Sequence, residues 1–184
     1  MVELMTIDQL FWVLARAAGL GSYAALAVAL VTGIALRTAV LDWLGSNRAL
    51  RSLHEYTTVL WIPLAVVHLA ALVLDRTSRI ALIDLVLPFH STYGTLGIGL
   101  GTLAVDVLLV VTVTAYLKRR MSVELWKWVH RLAYVAFALT FFHAVLSGTD
   151  FSDPLVSAIT WSAGAMLLVL AFARAFWGRL PASR

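Results

Sequence analysis

Apolar positions along this chain gather into five long runs, roughly residues 17–36, 53–75, 96–117, 128–147 and 154–175, with short polar connections between them. Crossing the ~30 Å of hydrocarbon in a bilayer at ~1.5 Å of rise per residue takes about 20 apolar residues. Each run therefore predicts one membrane-spanning helix. The connections are too short for a soluble domain, so the expected fold is an all-α integral membrane protein. About five transmembrane helices would form one bundle, with residues 1–184 as a single domain.

Composition agrees, at 61% hydrophobic and 13% charged with a mean hydropathy of +0.90. Soluble domains carry about half apolar and about a quarter charged residues. The chain has no cysteine, which removes disulfides, thiolate metal sites, iron–sulfur clusters and thiol redox chemistry. No basic segment leads into the first run, so it predicts a retained helix rather than a cleaved signal peptide.

The net charge of +4 and pI near 9.9 invite a nucleic-acid reading, but the positions of the charges oppose it. Arg37, Arg48 and Arg51, then Lys118, Arg119, Arg120 and Lys127, then Arg174, Arg179 and Arg184 fall on one side of the alternating spans. Only Arg16, Arg76 and Arg79 fall on the other. The excess of basic residues in cytoplasmic connections predicts an inner-membrane protein with its N-terminus outside and its C-terminus in the cytoplasm. No nucleic-acid partner is expected.

The first run, "AAGLGSYAALAVALVTGIAL", is rich in small residues that suit close helix packing. Trp43 and the arginines of 37–52 suit an interfacial anchor. In the 76–95 connection, "IALIDLVLPF" predicts a short helix lying along the outer surface. The glycines of "YGTLGIGLG" are not a nucleotide loop, since no strand precedes them. At the start of a membrane helix they admit a close neighbour, either another helix or a flat cofactor.

The chemistry lies with four histidines. His54 and His68 are 14 residues apart on the second run, a rise of ~21 Å with only about 40° of rotation. Trp61 lies midway on the same stripe. His130 and His143 are 13 apart on the fourth run, a rise of ~19.5 Å with about 140° between their directions. They should therefore not share a face unless the helix is locally distorted; otherwise the groups they hold are rotated relative to one another. The second and fourth helices run in the same direction, so equal depth pairs His54 with His130 near the cytoplasmic side. His68 then pairs with His143 near the outer side. Two imidazoles facing each other across a bundle can hold one heme iron from both faces, and two stacked pairs predict two b-type hemes. Single membrane histidines that merely bond a neighbouring carbonyl are the bland alternative. Zinc fits poorly, because structural sites gather about four ligands and each depth offers two.

The spacing H-x13-H followed two helices later by H-x12-H resembles the ferric reductase-like transmembrane domain. That family includes yeast-type ferric reductases, NADPH oxidases and the heme-binding membrane subunit of the bacterial methionine-sulfoxide reductase system. "NRALRSLHEYTTVLWIPLAVVHL" and "RRMSVELWKWVHRLAYVAFALTFFHAVL" look like its two heme-bearing helices, and "YGTLGIGLGTLAVDVLLVVT" like the helix between them. The resemblance covers about residues 45–150. It implies that His54, His68, His130 and His143 are axial heme ligands in a transmembrane electron carrier. The departures are a count of five helices where the family core commonly has six, and no flavin or nicotinamide domain after "WGRLPASR". A separate cytoplasmic flavin or reductase donor and an extracytoplasmic acceptor are therefore expected. The cytochrome b of quinol-oxidising complexes places histidine pairs similarly and is the second reading. A non-redox transporter or structural membrane protein is the third.

Around this core, Arg51 and Arg131 are candidates to pair with heme propionates, or are cytoplasmic anchors. Trp61 is a candidate relay between the hemes, or packing. Asp106 could bond a ligand's second ring nitrogen, or sit hydrogen-bonded at a helix interface. Glu55 beside His54 would disfavour added negative charge. His90 and Tyr93 fall in the outer loop, where they could meet an acceptor or be plain surface residues. Pro63 is expected to bend the second helix.

Overall fold

The computed structural model describes residues 6–176; Arg179 and Arg184 of the basic tail lie outside them. Among the described residues the chain is all-helical. The α-helices are α1 (Ile7–Ala35), α2 (Asn47–Leu74), α3 (Thr95–Tyr116), α4 (Val123–Ser147) and α5 (Pro154–Phe176). All five are long and apolar enough to cross a membrane. Short 3-10 turns at Ala39–Leu44, Leu82–Leu85, Lys118–Arg120 and Thr149–Ser152 lie in the connections.

Three helices begin earlier than their apolar runs, and a capping side chain explains each. Thr6 and Gln9 form a reciprocal cap, with Thr6 Oγ1 accepting from the Gln9 N–H at 3.2 Å and Gln9 Oε1 accepting from the Thr6 N–H at 2.8 Å. Ser46 Oγ accepts from the Ala49 N–H at 3.3 Å, and Ser122 Oγ from the Leu125 N–H at 3.2 Å. These side chains satisfy first-turn donors, so polar residues ahead of the apolar run can wind into helix. At α5, Asp153 caps with Oδ1 on the Leu155 and Val156 N–H groups. Pro154 takes the first helical position, where its missing N–H is no loss.

Within "IALIDLVLPF" the helical part is one short 3-10 turn, Leu82–Leu85. Pro63 lies inside the helix that runs from Asn47 to Leu74.

The chain divides into two compact units. One holds the residues through Gly19 together with Val66–Thr149; the other holds Leu20–Ala65 and the residues from Asp150 onward. In the first, α3 packs directly on α4, and Ala104, Leu108, Val111, Ala136, Phe137 and Phe141 are buried. In the second, Ala25, Ala29, Ile34, Leu50, Trp61 and Leu167 are buried. The outward surface of the helices stays apolar. Val59, Val66, Leu109, Leu146, Ile159 and Val169 are each more than half exposed.

Candidate functional site

Three of the four histidines are held in one way, by a backbone carbonyl that a glycine uncovers. His68 Nδ1 lies 2.6 Å from the Ala15 carbonyl, His54 Nδ1 2.8 Å from that of Ala29, and His143 Nδ1 2.8 Å from that of Gly97. A carbonyl oxygen only accepts, so Nδ1 carries the proton and donates in each case. Every Cα–Cβ bond in a helix tilts toward the N-terminus, so the side chain at i+4 leans over the carbonyl at i. Four residues after Ala15, Ala29 and Gly97 come Gly19, Gly33 and Gly101.

The fit is close. A Cβ at Gly19 would stand 2.8 Å from His68 Nδ1, and one at Gly101 2.6 Å from His143 Nδ1. At Gly33 it would stand 3.2 Å from His54 Cε1. Thr32 Oγ1, which donates to the Val28 and Ala29 carbonyls, also approaches His54 Nδ1 at 3.4 Å. Glycine costs about 1 kcal/mol against alanine within a helix. That cost is offset here by room for an imidazole.

Within the first unit, His68 and His143 come together, their ring centroids 6.4 Å apart and their planes at 77°. With Nδ1 committed to a carbonyl, the remaining nitrogen of each ring is Nε2. It carries no hydrogen bond to any described residue. Metal–imidazole bonds of about 2 Å on opposite sides of one ion put two ring centres roughly 6 Å apart once each ring's radius is added. Spacing and tautomer both fit a bis-histidine iron. No group of three or more His, Asp or Glu side chains gathers among the described residues.

His130 is placed differently. It stacks on Trp126, one turn earlier on α4, with centroids 5.2 Å apart and planes 18° from parallel. Helix α4 is regular from Val123 to Ser147, so no local distortion brings His130 round to the face of His143. The two rings leave the helix about 140° apart.

The surrounding candidates separate on the same grounds. Trp61 is buried, and its carbonyl accepts from Ser22 Oγ at 3.3 Å. Arg51 is exposed, and so is Arg131, whose guanidinium lies 4.8 Å from the centre of the Trp128 ring. Asp106 is half-buried. It does not take the Nδ1 protons of His54, His68 or His143, which go to carbonyls instead. The small-residue character of α1 proves to be more than scaffolding, since Gly19 and Gly33 are histidine seats. The close neighbour admitted by Gly101 is likewise an imidazole. A matching interval in the sequence could have exposed this: Gly19 and Gly33 are 14 residues apart on α1, as His54 and His68 are on α2. In the second unit an apolar cavity of about 270 Å³ adjoins Thr32 and Leu53 and is lined by no titratable group.

His90 is joined to Asp84, its Nδ1 2.7 Å from Asp84 Oδ1. That hydrogen bond, supported by the Ala81 N–H on Oδ2, holds the Asp84 carboxyl below the usual carboxylate range.

No curated protein matches the chain. A family model does match, over residues 10–150. That span takes in all five histidines and the three seating glycines and stops before α5. The chain belongs to that family, which is described as a domain of unknown function (DUF8596).

Proposed function

We propose that this protein is a diheme b-type cytochrome of the inner membrane that carries electrons across the bilayer, akin to the ferric reductase-like transmembrane domain. The observation that carries the reading is the His68–His143 pair. Two imidazoles 6.4 Å apart each have Nδ1 fixed on a backbone carbonyl. Metal-bound histidines characteristically donate their other nitrogen to a carbonyl or carboxylate, which sets the tautomer and raises ligand basicity. A histidine kept only for packing would satisfy its N–H on a carbonyl in the same way, so it is the approach of two such rings to ligand spacing that supports the reading.

In this reading His68 and His143 hold the outer heme. His54, seated on Ala29 and Gly33, pairs with His130 at the inner one. The hemes supply the one-electron chemistry. The protein's part is to fix the four rings, to present Nε2 to the metal, and to keep water away with apolar helix faces. Arg51 and Arg131 are candidates for the propionates of the inner group, and Trp61 for the space between the two. The apolar surface of Val59, Leu109, Leu146 and Val169 faces lipid. The basic connections, with Lys118, Arg119 and Arg120 exposed on their 3-10 turn, support an orientation with the C-terminal side in the cytoplasm. Electrons then enter from a cytoplasmic flavin or reductase and leave to an acceptor outside.

The deciding experiment is the heme-to-protein ratio and reduced-minus-oxidised spectrum of protein purified from heme-replete cells. Two b-type hemes per chain are expected. Protein that is correctly inserted and has no Soret band ends the proposal.

A further inference from the structure

The connection between α2 and α3 carries an arrangement that electron transfer alone does not require. Asp75 closes α2, its Oδ1 accepting from the N–H and the hydroxyl of Thr77 at 2.8 and 2.7 Å. The chain then reaches Asp84, whose carboxylate is only 7% exposed. Its Oδ2 accepts from the Ala81 N–H at 2.9 Å and its Oδ1 from His90 Nδ1 at 2.7 Å. A carboxylate accepts only, so the His90 proton sits on Nδ1. The ring is 52% exposed, and Nε2 has no hydrogen bond to any described residue.

Both ends of this dyad are fixed to α3. The Asp84 carbonyl accepts from Thr102 Oγ1 at 2.7 Å. Phe89, in a left-handed conformation at φ 62°, lies against Gly99 so closely that a Cβ there would collide with its ring. Thr102 follows Gly101, the seat of His143, and Gly99 lies between Gly101 and Gly97, the acceptor of the His143 proton. One stretch of α3, Gly97 to Thr102, therefore carries the outer histidine on one account and the dyad on another.

Burying a carboxylate is unfavourable unless it is paired, and a loop that only connects two helices has no need of one. Among the described residues, the charged group in contact with the His90 ring is Asp84. The helix beneath contributes no titratable side chain from Thr95 until Asp106.

We propose that Asp84 and His90 form a proton-delivery site for an acceptor whose reduction makes O–H bonds, of the class of quinone-type carbonyl compounds. The proposal rests on the electron-transfer reading above. The acceptor takes two electrons, one at a time, from the reduced membrane carrier. With a solvent proton on Nε2 as well as the one on Nδ1, His90 stands as an imidazolium beside the Asp84 carboxylate. At each carbonyl oxygen in turn an O–H bond forms as the Nε2–H bond of His90 breaks, and the N–H electron pair stays on the ring. The neutral imidazole is then reprotonated by solvent. Asp84 remains ionised throughout and acts as the positioning residue, fixing the ring so that Nε2 faces water.

The test uses the full chain with its hemes, reduced anaerobically and reoxidised in a stopped-flow by 1,4-benzoquinone or by ferricyanide. Ferricyanide takes an electron and no proton. Heme content and spectrum, measured first, decide the electron-transfer reading independently. In H90Q and D84N, benzoquinone reoxidation should fall by about 10²-fold or more, in the range of a lost acid catalyst, while ferricyanide reoxidation holds. H90G should regain benzoquinone activity with added imidazole, and D84N should shift the pH profile of that rate. Equal slowing with both oxidants, or no slowing with benzoquinone, overturns the proposal.

Discussion

His68 and His143 stand edge to face with ring centroids 6.4 Å apart, and each is held by the backbone of a different helix. Ala15 of α1 accepts from one and Gly97 of α3 from the other. The rings are thus oriented by main chain, which has no rotamers to lose. Their geometry depends on bare carbonyls, and hence on glycines.

Substitution of those glycines should have graded effects. In Gly19→Ala and Gly101→Ala the new Cβ would fall 2.8 and 2.6 Å from a ring nitrogen. The ring must move and its carbonyl bond break, which should weaken heme retention by about 10- to 100-fold. Gly33→Ala meets His54 Cε1 at 3.2 Å, so the inner heme should stay bound with an altered spectrum. Gly21→Ala meets only Leu64 Cδ1 at 3.4 Å and serves as the neutral control. Heme-to-protein ratios and low-temperature electron paramagnetic resonance of the four variants check the order.

How much of this could be read in advance differs by feature. The five helices were legible because ~20-residue apolar runs have few other uses. Their starts were not, because hydropathy is blind to the side-chain caps at Thr6, Ser46 and Ser122, although the capping residues themselves stand in the sequence. The four histidines were legible as costly intramembrane polar groups. The role of Gly19, Gly33 and Gly101 was not, since a glycine in a membrane helix looks the same whether it admits a helix or an imidazole. Asp106 stands out as a charge in an apolar run, but the Nδ1 protons of His54, His68 and His143 go to backbone. The Asp84–His90 contact depends on how a six-residue loop interval folds back, and no periodicity reports that.

Removing ligands tests the pairing. His68→Ala and His143→Ala should each delete the same heme, and His54→Ala and His130→Ala the other, leaving one heme per chain in every case. Redox titration should show the same potential disappearing from both members of a pair. A shared loss between His54→Ala and His143→Ala would refute the depth argument.

The α2–α3 connection should loosen in acid. The Asp84 carboxyl is held below its ordinary range first by the His90 hydrogen bond and then by the Ala81 N–H. A depressed carboxyl contributes stability that is fully present above its unfolded-state value and is lost as pH falls through the folded one. Protection of this segment should therefore be constant near neutrality and fall below the usual carboxylate range. Hydrogen exchange of residues 75–94 at pH 7 and pH 3 measures it. D84N should exchange fast at both.

Charge reversal on the α3–α4 turn separates topology from docking. Lys118, Arg119 and Arg120 form an exposed 3-10 turn between two apolar helices. The proposed orientation by itself calls for basic residues there, so a partner must be tested separately. An acidic reductase or a flavin phosphate arriving at the inner heme would nevertheless be steered by them, with an on-rate that falls as salt rises. In Lys118→Glu with Arg120→Glu, Arg119 and the other basic connections still favour the same orientation, so heme content should be unchanged. Reduction by a cytoplasmic donor should slow at low ionic strength and lose most of its salt dependence, because the Debye length of about 10 Å at 0.1 M salt confines the effect to charges near the contact. Protease accessibility of the turn verifies insertion first. Equal reduction rates in variant and parent at low salt would make the turn an orientation signal with no part in docking.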